Sequence, residues 1–223
     1  FLEEEDVYLK DKDLVVIANI AGASYDDYEA IARKINDSKS VSLVELNISC
    51  PNVKEGGMAF GVKPESVYAV TKLVKDVCKF PVITKLPPNV ASIPENAKAA
   101  EEAGADAISL INTVAAMVIN YKTRRPILAN NHGGLSGPCV KPIALKMVWD
   151  AYNAVKIPII GMGGIKSFED VLEFIICGAS AVEIGTYNFT NPLGSKKIVE
   201  DFNEYIEKEN IDINELRGSL ILN

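Results

Sequence analysis

The sequence predicts an α/β fold, specifically a (β/α)₈ TIM barrel, and three observations support it. Short apolar runs alternate with segments of helical spacing along all 223 residues, the pattern of parallel strands joined by right-handed crossovers. Asn19, Asn47, Lys85, Asn112, Gly161 and Gly185 all fall at or just after the C-terminal ends of the apolar runs. The rim of a barrel is where polar residues from many strands converge. No GxGxxG follows the first run, which weighs against a dinucleotide-binding open sheet. Six strand–helix units are counted, whereas a full barrel has eight in roughly 250 residues. The expectation is one domain over 1–223, N-terminally incomplete, with the first two strands absent; a complete small open sheet is the alternative.

The elements follow in order. Residues 1–6 read as the tail of a helix, with no initiator Met, basic leader or signal core. Residues 14–19 read as a buried strand and 25–35 as an acidic-fronted amphipathic helix. The strand at 42–47 precedes a helix at 64–78, where Val67, Val70, Leu73, Val74 and Val77 recur on one face. A strand at 81–85, a helix at 94–103 closed by Gly104, and a strand at 107–112 come next. After a long loop come a helix at 141–155, a strand at 157–161, a helix at 167–177 closed by Gly178, and a strand at 181–185. A helix over about 196–208 completes the series.

Composition narrows the function classes. The net charge of −7 makes a phosphate-backbone binder a poor candidate. No apolar run reaches the ~18 residues that span a bilayer. Cys50, Cys78, Cys139 and Cys177 are scattered and form no CxxC, so neither an iron–sulfur site nor a disulfide framework is expected. A reducing cytoplasm fits this usage. Cys78, Cys139 and Cys177 read as packing cysteines, and His132 as a turn residue.

Two glycine loops give the strongest physical signal. The run Ile159-Ile-Gly-Met-Gly-Gly-Ile165 leaves one strand and enters a helix, and Val182-Glu-Ile-Gly-Thr186 leaves the next strand. Paired glycines let backbone N–H groups approach an anion, and helix N-termini attract it. The loops after the last two strands of a barrel are a common phosphate site. In Glu45-Leu-Asn-Ile-Ser-Cys-Pro-Asn52 a strand ends in a polar loop carrying a thiol. Its carboxamides suit a planar polar ring, and Cys50 suits a base or a nucleophile. Lys85 ends its strand at the mouth, either as a Schiff-base lysine or as a cation facing an electron-rich cofactor.

These motifs occur in one order together with Val16-Ile-Ala-Asn-Ile-Ala-Gly22, Gly56-Gly57, Phe60-Gly61, Leu110-Ile-Asn-Thr113, Gly133-Gly-Leu-Ser-Gly-Pro138 and Lys141-Pro142. Over essentially the whole chain they resemble the class 1 dihydroorotate dehydrogenases, most closely the NAD-linked class 1B catalytic subunit. The resemblance implies an FMN-containing barrel that oxidises dihydroorotate to orotate in pyrimidine biosynthesis. It implies that Cys50 removes the C5 proton while a hydride leaves C6 for FMN. Asn47, Asn52, Asn112 and Thr113 would bind the pyrimidine. Asn19, Asn47, Lys85, Ile111 and Gly137 would contact the flavin ring, and Gly163, Gly164, Gly185 and Thr186 its phosphate. No metal is implied. FAD and a 2Fe–2S cluster are expected on an electron-transfer partner subunit that passes electrons to NAD, with a homodimer of this chain at its centre. Pro87 and Ala116-Met117 depart from the family's usual residues, and the family's first two strands have no counterpart here. A dihydropyrimidine dehydrogenase-type flavin barrel and a non-catalytic truncated barrel are the alternatives.

Overall fold

The computed structural model describes residues 1–49 and 60–223. Strands β1 (Val16–Ile20), β2 (Val41–Asn47), β3 (Val82–Lys85) and β4 (Ala107–Leu110) come first. The short strands β5 (Val114–Ala116), β6 (Ile119–Asn120), β7 (Arg125–Pro126) and β8 (Gly133–Leu135) lead on to β9 (Ile159–Met162) and β10 (Ala181–Glu183). One parallel sheet runs β1-β2-β3-β4-β9-β10, every neighbour pair parallel. Such strands are buried on both faces and read as continuous apolar runs. β3 and β4 are buried in this way, with Val82, Ile83, Ile108 and Leu110 wholly buried and Thr84 and Ser109 buried among them.

The helices are α1 (Glu5–Leu9), α2 (Tyr25–Ile35), α3 (Pro64–Val77), α4 (Ile93–Glu102), α5 (Lys141–Ala154), α6 (Phe168–Ile176), α7 (Tyr187–Thr190), α8 (Gly194–Glu209) and α9 (Ile213–Leu216). Local chemistry sets where they start. In α2, Ser24 Oγ accepts from Asp27 N at 3.1 Å and Asp27 Oδ2 accepts from Ser24 N at 3.0 Å, a reciprocal cap. Proline opens α3 and α4, where its missing N–H costs nothing. Buried Tyr28 reaches from α2 to the end of β2, its hydroxyl donating to Asn47 O at 2.8 Å, and meets Phe60 edge-on at 5.3 Å.

Three expectations need correction. The first strand begins at Val16, not residue 14, and is only half-buried: Leu14 and Val15 stand outside it, exposed, and Ile17 is 41% exposed. The cause is position, since β1 pairs on one side only. The long loop after β4 contains two antiparallel ribbons, β5 with β8 and β6 with β7. Cys139 is exposed rather than packed, its thiol 3.7 Å from Ser136 O, whereas Cys177 is buried. Among the described residues the sheet is open, with β1 and β10 as its edges.

Candidate functional site

The strand register aligns Asn19 with Glu45, Asn47 with Lys85, and Lys85 with Ser109. Side chains at these levels meet at the C-terminal end of the sheet. Glu45 is 3% exposed and is their hub. Its Oε1 accepts from Ser109 Oγ at 2.6 Å, and its Oε2 accepts from Lys85 Nζ at 3.3 Å and from Asn19 Nδ2. A buried carboxylate needs such partners, because an isolated one would protonate. Glu183, at the end of β10, lies within hydrogen-bonding reach of the same carboxyl. Burial and the Glu45 charge push its pKa up to about 7, against the pull of Lys85.

A second network adjoins the first. Asn47 Nδ2 donates to Asn19 Oδ1 at 3.4 Å, and Asn47 Oδ1 accepts from the backbone N–H and hydroxyl of Ser49. Ser49 Oγ in turn accepts from Asn112 Nδ2, whose Oδ1 accepts from Thr113 N at 2.7 Å. The carboxamides are thus held on three different strand ends.

The two glycine loops form the opposite wall. Gly163 and Gly164 have φ of +126° and +82°, conformations that favour glycine. A Cβ on Gly164 would stand 2.8 Å from Gly137 O and 3.0 Å from Lys141 N, so the first loop is pressed against the segment after β8. A Cβ on Gly185 would meet nothing within 4 Å. Between the walls is a cavity of about 470 Å³, a size usual for small-molecule sites. Its lining includes Lys85, Ile111, Asn112, Thr113, Gly137, Gly163, Gly164, Gly185 and Thr186.

The glycine wall is braced by an ion cluster. Lys141 Nζ bonds Asp170 Oδ1 at 2.6 Å and Glu173 Oε2 at 2.7 Å. Asp170 Oδ2 also accepts from Lys166 N at 2.8 Å and Ser167 N at 3.1 Å, capping α6. Burial raises the Asp170 pKa, but Lys141 and these N–H groups outweigh it and hold the carboxyl below its ordinary value. Lys141→Met should therefore lower stability by about 2 kcal/mol, less than the ~3–5 of a fully buried broken pair, because Lys141 is 23% exposed. A depressed carboxyl stabilises above its unfolded pKa, and that contribution fades as pH falls below about 4. Thermal melts should show the gap between variant and parent closing in that acid range.

Sequence reasoning and structure agree on most of the wall and differ in detail. Asn19 and Asn47 join the site through Glu45 and Ser49 rather than by lining the cavity itself. Cys50 and Asn52 lie outside the described residues. The N-terminus of α6, expected to attract an anion, is already capped by Asp170. Sequence reasoning missed Glu45, Ser49, Ser109, Lys166 and Glu183. The signal for Glu45 and Glu183 was there, since each is a carboxylate directly following apolar residues of a strand. Lys166 lines the cavity two residues after the paired glycines.

Comparison with known proteins follows this geometry. A family model described as dihydroorotate dehydrogenase matches residues 2–206. The dihydroorotate dehydrogenase B (NAD(+)) catalytic subunit of Thermoanaerobacter sp. (strain X514) is 54% identical over 221 residues, covering 99% of this chain and 73% of the relative. The subunit of the same name from Porphyromonas gingivalis is 48% identical over 223 residues, covering 100% and 73%. Among solved structures, DHODH from Eimeria tenella in complex with ferulenol superposes with a TM-score of 0.78 at 19% identity, covering 98% of this chain and 66% of that one. At that identity the likeness supports the α/β barrel-type fold alone.

Proposed function

This chain belongs to the dihydroorotate dehydrogenase family, and we infer that it oxidises dihydroorotate to orotate in pyrimidine biosynthesis as the FMN-dependent catalytic subunit of an NAD-linked enzyme. The observation that carries this reading is a cavity with a lysine and carboxamide end and a glycine-loop end. Such a space suits a cofactor with a polar ring at one end and a phosphate at the other. The residues fit FMN: open space beside Gly185 on the cavity wall, the positive-φ Gly163 and Gly164, and Lys166 as counter-charge.

Bound FMN supplies the hydride acceptor. Gly163, Gly164, Gly185 and Thr186 hold its phosphate in this reading, and Ile111, Gly137 and Lys85 face its ring, with Asn19 and Asn47 adjoining them through Glu45 and Ser49. Asn47, Asn52, Asn112 and Thr113 orient the pyrimidine. Cys50 takes the C5 proton, which requires a thiolate of tuned pKa. Lys85, an ammonium 14% exposed beside Glu45, fixes positive charge at the ring end. Residues 1–223 form one barrel domain in this reading, and two further strand–helix units complete it. The open edges at β1 and β10 support that, as does an apolar groove of about 440 Å³ lined by Val182, Ile184, Ile198 and Phe202.

Among the described residues no helix is long and apolar enough to cross a membrane. A cytoplasmic homodimer joined by a subunit carrying FAD and a 2Fe–2S cluster completes the proposal. Turnover with an artificial acceptor tests it: dihydroorotate is the expected substrate, and turnover of dihydrouracil instead would favour the dihydropyrimidine dehydrogenase-type flavin barrel. The flavin-loaded subunit alone should not reduce NAD, and adding the partner should restore that activity. Efficient NAD reduction by the single subunit would contradict the division of labour.

A further inference from the structure

Lys85 and Glu183 line the cavity, and the buried Glu45 is paired with Lys85 at 3.3 Å. Glu45 of β2 is saturated by donors from three other strands: Asn19 of β1, Lys85 of β3 and Ser109 of β4. Glu183 of β10 reaches the same carboxyl from the other edge of the sheet and lines the cavity beside Lys85. Two carboxylates in contact cannot both ionise beside a single lysine without a net buried negative charge. One proton between them removes that charge and supplies the hydrogen bond that joins them. We propose that Glu45 and Glu183 form a proton-sharing carboxyl pair beneath Lys85 that sets the charge the lysine presents to a bound flavin.

Glu183 acts through Glu45 and Lys85, so it is a positioning residue. The inference rests on the reading of the cavity as a flavin site. With the proton in place, the cluster of Glu45, Glu183 and Lys85 is neutral. Loss of the proton leaves it with one negative charge. That charge opposes placing electrons on a flavin ring above it. Burial and the Glu45 charge push the Glu183 pKa up to about 7, so Glu183 holds the proton below that pH and gives it up above.

The surrounding elements bring few competing charges. β1 and β4 contribute the neutral Asn19 and Ser109, and β9 places Met162 beside Glu183. α6, which packs against β10, carries Glu169, Asp170 and Glu173, the last two held by Lys141, and Lys166 precedes it. The influences on Glu183 are its burial, Glu45 and Lys85.

The test is the midpoint potential of the protein-bound flavin between pH 6 and 8, in the parent protein, Glu183→Gln and Glu45→Gln. Each substitution keeps side-chain size and leaves one carboxyl against one ammonium. The expected result is equal potentials for the parent and Glu183→Gln at pH 6. Toward pH 8 the parent should fall progressively below the variant. Glu45→Gln should likewise remove the parent's extra pH dependence. Bound flavin with superimposable potential–pH curves in all three proteins would overturn the pair while leaving the flavin site intact. A protein that retains no flavin would overturn the flavin reading and the pair with it.

Discussion

Cys50→Ser should leave the protein yellow yet slow flavin reduction by dihydroorotate about 10²–10⁴-fold at neutral pH, the usual contribution of a positioned base. A serine hydroxyl is a far weaker acid than a thiol, so the deprotonated form is scarce. The rate should recover in part as pH rises, because hydroxide populates that form. Anaerobic stopped-flow mixing followed at the flavin absorbance measures it. Parent-like rates in the variant would remove Cys50 from the reaction.

Gly185→Val should abolish flavin retention without unfolding the protein. A Cβ there meets no protein atom within 4 Å, so the added side chain extends into space that the proposed phosphate needs. Circular dichroism and the melting temperature should match the parent while the flavin content after gel filtration falls to near zero. Gly164→Val is a harsher change. Its φ of +82° strains a β-branched residue by roughly 1–3 kcal/mol, and its Cβ would press on Gly137 O at 2.8 Å. That variant should lose both flavin and stability. Normal flavin content in Gly185→Val would put the phosphate elsewhere.

The parts of this molecule legible in the sequence are those with a period or a local code. β3 and β4 carry wholly buried Val82, Ile83, Ile108 and Leu110 because both faces of the sheet are covered there. Ser24 and Ser167 mark helix starts through capping that needs only four residues. Gly163 and Gly164 were legible because their positive-φ backbone geometry is nearly unavailable to other residues. Less local features were not. The 16–20 strand is shorter and more exposed than its apolar composition suggests, since only the sheet order reveals that it is an edge. The ribbons within residues 114–135 are two or three residues long, too short to show a period. Glu45 and Glu183 are 138 residues apart in sequence, and their pairing emerges only when the sheet brings β2 and β10 to one cavity. Lys141 seemed merely part of a Lys-Pro dipeptide, but its partners on α6 make it the brace of the glycine wall.

The most direct test of the account is anaerobic addition of dihydroorotate to the purified flavin-loaded protein, followed by its visible spectrum. The account predicts a flavin absorbance that bleaches on addition and returns when an acceptor is admitted, with orotate formed in proportion. A protein that binds flavin but stays fully oxidised with dihydroorotate would contradict it.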